Sequence, residues 1–210
     1  MSSQTSAGSS SPGGTATTAH PRWLTWGLVV GASLISTGLA AYEIAPASVT
    51  PVIRESMGIG STTAGLIVGV MFGSAVVASL PAGAVLDRTN SRTAMAMAVL
   101  ALLIAGGWGW SAGHRGVYWS LIASRVLGGV AYVVVWNAGI DMVSRAVTAS
   151  NRATAVAFHT SVGLAGAFLA PIAGGAVVEL AGFSVAFLLA GVLGGCGIVL
   201  AWYAPEPARL

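Results

Sequence analysis

Of 210 residues, 55% are hydrophobic and 7% are charged, where a soluble domain carries about a quarter charged. That shortage, with a mean hydropathy of +0.83, excludes a surface facing water and puts the chain in the membrane class. The net charge of +3 comes from nine Arg and no Lys with no basic stripe among them, which excludes a nucleic-acid footprint.

Residues 1–21 are mostly Ser, Thr, Gly, Ala and Pro and are expected to form a disordered tail. They lack the basic start and short apolar core of a signal peptide. Six apolar segments follow, at 23–45, 64–86, 93–112, 117–140, 153–178 and 184–203. Each has the roughly 20 residues that cross a ~30 Å hydrocarbon core as helix, and none alternates as a barrel strand would. The expected fold is all-α, with six transmembrane helices over 22–204 and a linker beginning at 205–210. Pro46 and Pro51 are expected to break the first helix near its exit. Ser61 and Thr62 are candidate caps for the second. Gly27/Gly31, Gly69/Gly73 and Gly191/Gly195 are spaced to let backbones approach. The lone cysteine, Cys196, lies in the last apolar run and reads as a small buried side chain. No metal site or cofactor is expected.

If the segments alternate in direction, Arg22, Arg88, Arg92, Arg145, Arg152 and Arg209 share one side. The other side has Arg54, offset by Glu55, and Arg115. The positive-inside rule then predicts cytoplasmic N- and C-termini. Trp108, Trp110 and Trp119 mark the outer interface, and Trp23, Trp202 and Tyr203 the inner one.

Ionisable residues inside the spans separate the segments. The third and sixth have none. The first carries Glu43, the fourth Arg125, and the fifth His159, with Glu179 near its end. Such groups avoid lipid at a cost of several kcal/mol, so the first, fourth and fifth segments are expected to line a pathway. Glu43 and Arg125 both fall in outer halves, and pairing would make each cheaper to bury. Glu43 is the candidate proton site. Tyr132 and Trp136 follow Arg125 at helical spacing on one face, which suits a wet cavity. In the alternative, Arg125 only satisfies helix carbonyls. His159 titrates near the working range and is a candidate proton carrier; a packed, neutral, hydrogen-bonded imidazole is the other reading.

Three motifs carry a resemblance. Gly83-x-x-x-Asp87-Arg88-x-x-x-Arg92 resembles the loop 2–3 signature of the major facilitator superfamily, G-x-x-x-D-R/K-x-G-R-R/K. Asn90 stands for the usual Gly and Ser91 for an Arg. Asn suits that place if the turn needs a left-handed backbone. The fourth segment's "RVLGGVAY" resembles R-x-x-Q-G-x-G/A, with Gly128 in place of Gln. The fifth segment's "GAFLAPIAGG" resembles G-x-x-x-G-P-x-x-G-G, typical of the superfamily's antiporters, with Gly166, Pro171, Gly174 and Gly175 matching and Ala170 replacing a Gly.

The resemblance implies one six-helix half of the superfamily fold, an inverted 3+3 helix repeat, in the plasma membrane. It implies a secondary transporter of the drug:proton antiporter type, exporting a small molecule against protons. Asp87, Arg88 and Arg92, joined by Asp141 and Arg145, would form the cytoplasmic gate, although two Arg alone would also serve as a topology anchor and Asp141–Arg145 as a solvated pair. A second six-helix half would be needed as partner, as a separate chain, a lost segment or a second copy. The competing reading is a non-transporting partner subunit or a degenerate or truncated half-carrier. A membrane enzyme is not expected, for want of an H-E-x-x-H zinc pair or paired intramembrane Asp, and with no G-x-x-x-x-G-K-[ST] loop transport would be driven by gradients.

Overall fold

The computed structural model of the protein describes residues 22–188, and among these the chain is helical with no strand. Helix α1 (Arg22–Ser48) leads through a short α2 (Thr50–Met57) to α3 (Ser61–Arg88). Then come α4 (Ser91–His114), α5 (Tyr118–Ala146) and α6 (Arg152–Ala181). Five of these, α1 and α3 to α6, are long and apolar enough to cross a membrane. The sixth predicted segment runs almost entirely beyond the described residues, as do the tail 1–21, Cys196, the Gly191/Gly195 pair, Trp202, Tyr203 and Arg209. At its start, Phe183–Val185 form a single 3-10 turn packed against α4.

Helix α5 is the hub. It packs against α1, α3, α4 and α6, while α1 and α6 form the most extensive helix pair. Small residues bring these backbones together. Gly129 of α5 lies against the Met71 carbonyl and Ser74 hydroxyl of α3, and Gly166 of α6 against the Thr37 carbonyl of α1. Gly106 of α4 faces the Phe187 carbonyl. A Cβ at any of the three would collide, and such close approach is how membrane helices gain packing energy. The pairs singled out by spacing behave otherwise: Gly27, Gly69 and Gly73 face open space. Spacing marks a small face without saying which neighbour meets it.

Helix ends depart from expectation in three places. Pro46 does not break α1, which runs to Ser48; Pro51 falls instead in the first turn of α2, where its missing N–H costs nothing. Ser61 is the first residue of α3 and caps nothing; the preceding Gly60 occupies the cap position. Asn90 has φ −71° and ψ 132°, so the turn needs no left-handed residue. Asn90 is there as the cap of α4, its Oδ1 accepting the Arg92 backbone N–H at 2.9 Å, which satisfies a donor that the first helical turn leaves orphaned.

Much of the exposed surface of these helices is apolar. Met97, Leu100, Leu103 and Ile104 of α4, Val76, Val77 and Leu80 of α3, and Phe168, Ile172 and Leu180 of α6 are exposed. Trp119 and Trp23 are 75% and 72% exposed, Trp119 in the first turn of α5 and Trp23 in the first turn of α1, as interfacial aromatics require.

Candidate functional site

At one end of the bundle, the turn between α3 and α4 meets the last turns of α5. Asp87, Arg88, Ser91, Arg92, Asp141 and Arg145 line one cleft of about 360 Å³. Residues roughly 50 positions apart are thus brought together, and they include five of the six candidate gate residues. Gly83, the sixth, lies further back along α3 and faces open space. The Asp141 carboxylate holds the cleft together. Its Oδ1 accepts Arg145 Nε at 2.7 Å, one helical turn away, and its Oδ2 accepts the Ser91 hydroxyl in a short hydrogen bond. Ser91 is the position where the resembling signature has Arg. A neutral hydroxyl here makes the tie between the α3–α4 turn and α5 that a charge would make elsewhere. Arg152 Nε donates to the Ser144 carbonyl at 3.1 Å and links the start of α6 to the same corner.

Toward the other end of the bundle, Arg125 is fully buried. Nε donates to the Ile67 carbonyl of α3 at 3.0 Å, Nη1 to the Tyr42 carbonyl at 2.8 Å and Nη2 to the Glu43 carbonyl at 3.0 Å. The guanidinium carbon lies 4.5 Å from the centroid of the Tyr42 ring, a cation–π contact. The Tyr42 ring in turn occupies the space beside Gly128. The structure therefore brings Arg125 to the backbone of Glu43, and among the described residues no ion pair joins their side chains. Glu43 itself is half-buried.

Tyr132 and Trp136 stack at 6.2 Å, nearly parallel at 5°, and Trp136 meets His159 at 6.1 Å. His159 is fully buried between α1 and α5. Its Nδ1 and Nε2 each lie 3.4 Å from a hydroxyl of α1, Ser33 and Ser36. Ser33 already donates to the Val29 carbonyl at 2.7 Å, so its oxygen is left to accept from Nδ1–H. Both ring nitrogens thus have a hydroxyl within reach. Beside it, Thr37 donates across to the Val162 carbonyl of α6 at 2.8 Å.

In the fifth predicted segment, α6 passes through Pro171 without a break. The close helix contact is at Gly166, whereas Gly175 faces open space and Pro171 is exposed.

Several of these participants carry weak sequence signals. Ser33, Ser36 and Thr37 follow one another at helical spacing in an apolar run and were legible as a polar stripe. Tyr42 is marked only by standing four residues before Pro46. Gly109-x-Ser111-x-Gly113 has the spacing of a nucleophile elbow, but Ser111 lies within continuous helix α4, not at the strained strand-to-helix turn an elbow needs. Its hydroxyl accepts Arg115 Nη2 at 2.8 Å.

The model of the Major Facilitator Superfamily matches residues 26–210. Among curated relatives, MFS-type transporter ppzB of Metarhizium rileyi is 30% identical over 122 residues, 58% of this chain and 24% of the relative. The ppzB transporter of Metarhizium majus is 29% identical over 122 residues, 58% of this chain and 26% of its own. An MFS-type transporter of Mycobacterium tuberculosis is 26% identical over 179 residues, 85% of this chain and 30% of the relative. The match spans under a third of the length of each of these relatives.

Proposed function

Since this chain belongs to the major facilitator superfamily, and so to a family of multi-pass membrane transporters, we propose that it is one gate-bearing half of a secondary transporter. Its substrate is a small molecule exported against protons across the plasma membrane, with the Asp87–Asp141 cleft on the cytoplasmic side. The observation that carries this reading is the cleft itself. Asp87, Arg88, Arg92, Asp141 and Arg145 converge on it from separate helices, and a topology anchor requires Arg alone, not carboxylates. In the resembling family such a cluster closes the inner gate by contact with the opposite half. The pathway runs along α1, α5 and α6, past Glu43, Arg125, Tyr132, Trp136 and His159, with the helix 5-type motif of Gly166, Pro171, Gly174 and Gly175 beside it.

Alternating access in this superfamily rocks two six-helix halves against each other around a central site. The half-buried Glu43 supports a covering partner half, because a carboxylate turned toward lipid costs several kcal/mol.

The test is Asp87→Asn in a Cys196→Ser background. The apolar spans and Arg residues remain, so insertion is expected to be unchanged. The population shifts toward the inward-open state, and an impermeant maleimide applied from the cytoplasmic side labels cysteines introduced at Ser144 and Ala153 faster. Unchanged labelling would leave Asp87 without a gating role. A lone 20.9 kDa species that drives uptake in liposomes would sink the requirement for a partner half.

A further inference from the structure

A proline inside a helix removes one specific hydrogen bond: its missing N–H leaves the carbonyl four residues earlier without a helical partner. In α1 that proline is Pro46, buried within an unbroken helix, and the orphaned carbonyl is that of Tyr42. In a bundle of apolar helices an unsatisfied carbonyl is costly, with no water to take it up. The Tyr42 carbonyl accepts Arg125 Nη1 at 2.8 Å. The next carbonyl along, that of Glu43, accepts Nη2 at 3.0 Å.

We propose that Arg125 is a positioning residue that supplies the hydrogen bond Pro46 deletes, and so sets the course of α1 beyond Tyr42, including the Glu43 side chain. Three features fit this single role. Each guanidinium nitrogen has a backbone carbonyl as its partner, and none has a carboxylate. The third bond, to Ile67 of α3 at 3.0 Å, anchors the guanidinium against a second helix, so that the force on α1 has a fixed point. Finally, Gly128 leaves room for the Tyr42 ring: a Cβ there would lie 2.5 Å from Cε1. The ring can therefore lie beneath the cation, closing it off from other partners. A cation held this way is not free to bind a substrate anion until α1 moves. Movement of α1 at Pro46 and release of Arg125 are then one event.

The test is a double-mutant cycle read by amide hydrogen exchange over residues 43–50 of the full chain in lipid nanodiscs. It reads backbone protection rather than flux, so this inference and the transport reading fail separately. Arg125→Gln is expected to speed exchange in that stretch about tenfold, from the loss of hydrogen bonds to a charged donor. In the Pro46→Ala/Arg125→Gln protein, the substituted proline position regains a backbone N–H, which the Tyr42 carbonyl can accept. Protection is then expected to return to within about threefold of the wild type. A purely space-filling role for Arg125 predicts no such rescue. If the two substitutions simply multiply, or if Pro46→Ala worsens the loss, the proposal is overturned. Should Arg125→Gln fail to accumulate in membranes, recovery of folded protein in the double variant is the supporting outcome, and continued loss the overturning one.

Discussion

Replacing Gly166 with Ala is expected to destabilise the bundle by about 2 kcal/mol. A Cβ at that position would run into the Thr37 carbonyl, with its carbon at 2.8 Å and the Ala41 nitrogen at 3.0 Å, where ordinary contact begins at 3.4 Å. The obstacle is backbone, so no rotamer can relieve it. Helices α1 and α6 must part, by roughly 1 Å, along the most extensive helix contact in the molecule. A gap of that size forfeits a quarter to a half of the dispersion energy of the atoms it separates. It also stretches the Thr37 to Val162 hydrogen bond, now 2.8 Å, of a type worth about 0.6 kcal/mol in membranes. Overpacking of this kind costs about 1–3 kcal/mol; the better helix propensity of Ala returns at most about 1 kcal/mol. Gly175→Ala in the same helix is the control, because a Cβ there meets nothing. Denaturing-detergent titration followed by tryptophan fluorescence would measure both. The expected loss of about 2 kcal/mol corresponds to about a thirtyfold change in the unfolding equilibrium. Equal stability of the two variants would refute the close contact of α1 and α6.

Three further outcomes follow from the same geometry. Asn90→Ala should cost about 1 kcal/mol through loss of the α4 cap, and Asn90→Gly only a few tenths, in the same titration; equal losses would argue against capping. Gly128→Gln, which restores the residue of the resembling motif, should displace the Tyr42 ring and lower the thermal midpoint. Adding Tyr42→Ala should recover part of that loss, and no recovery would mean that the ring is not the obstacle. His159→Leu strands the Ser36 hydroxyl in the bundle, which should cost roughly 1–3 kcal/mol. Adding Ser36→Ala should return most of it, and strictly additive losses would count against the hydrogen bond between them.

Membrane class and five of the six expected helical spans were legible from composition and segment length, because a helix is the only open structure that satisfies its own backbone in lipid. The corner of Asp87, Arg88, Arg92, Asp141 and Arg145 was legible as well, since antiparallel helices of membrane length force alternate loops to one side. What sequence spacing could not assign was the neighbour of each face. Gly69 and Gly73 have the spacing of a packing pair and meet nothing, while Gly129 and Gly166 bear the closest helix contacts. Asn90 matched a position where Gly is usual, but the backbone there is extended, and a side-chain cap explains the residue. Glu43 and Arg125 carry opposite charges at suitable depths, yet the guanidinium bonds the backbone of α1, where Pro46 leaves a carbonyl open. Charge and period are properties of one segment and are written along it. Which carbonyl faces which cation depends on how three helices rotate against one another, and only their packing decides that.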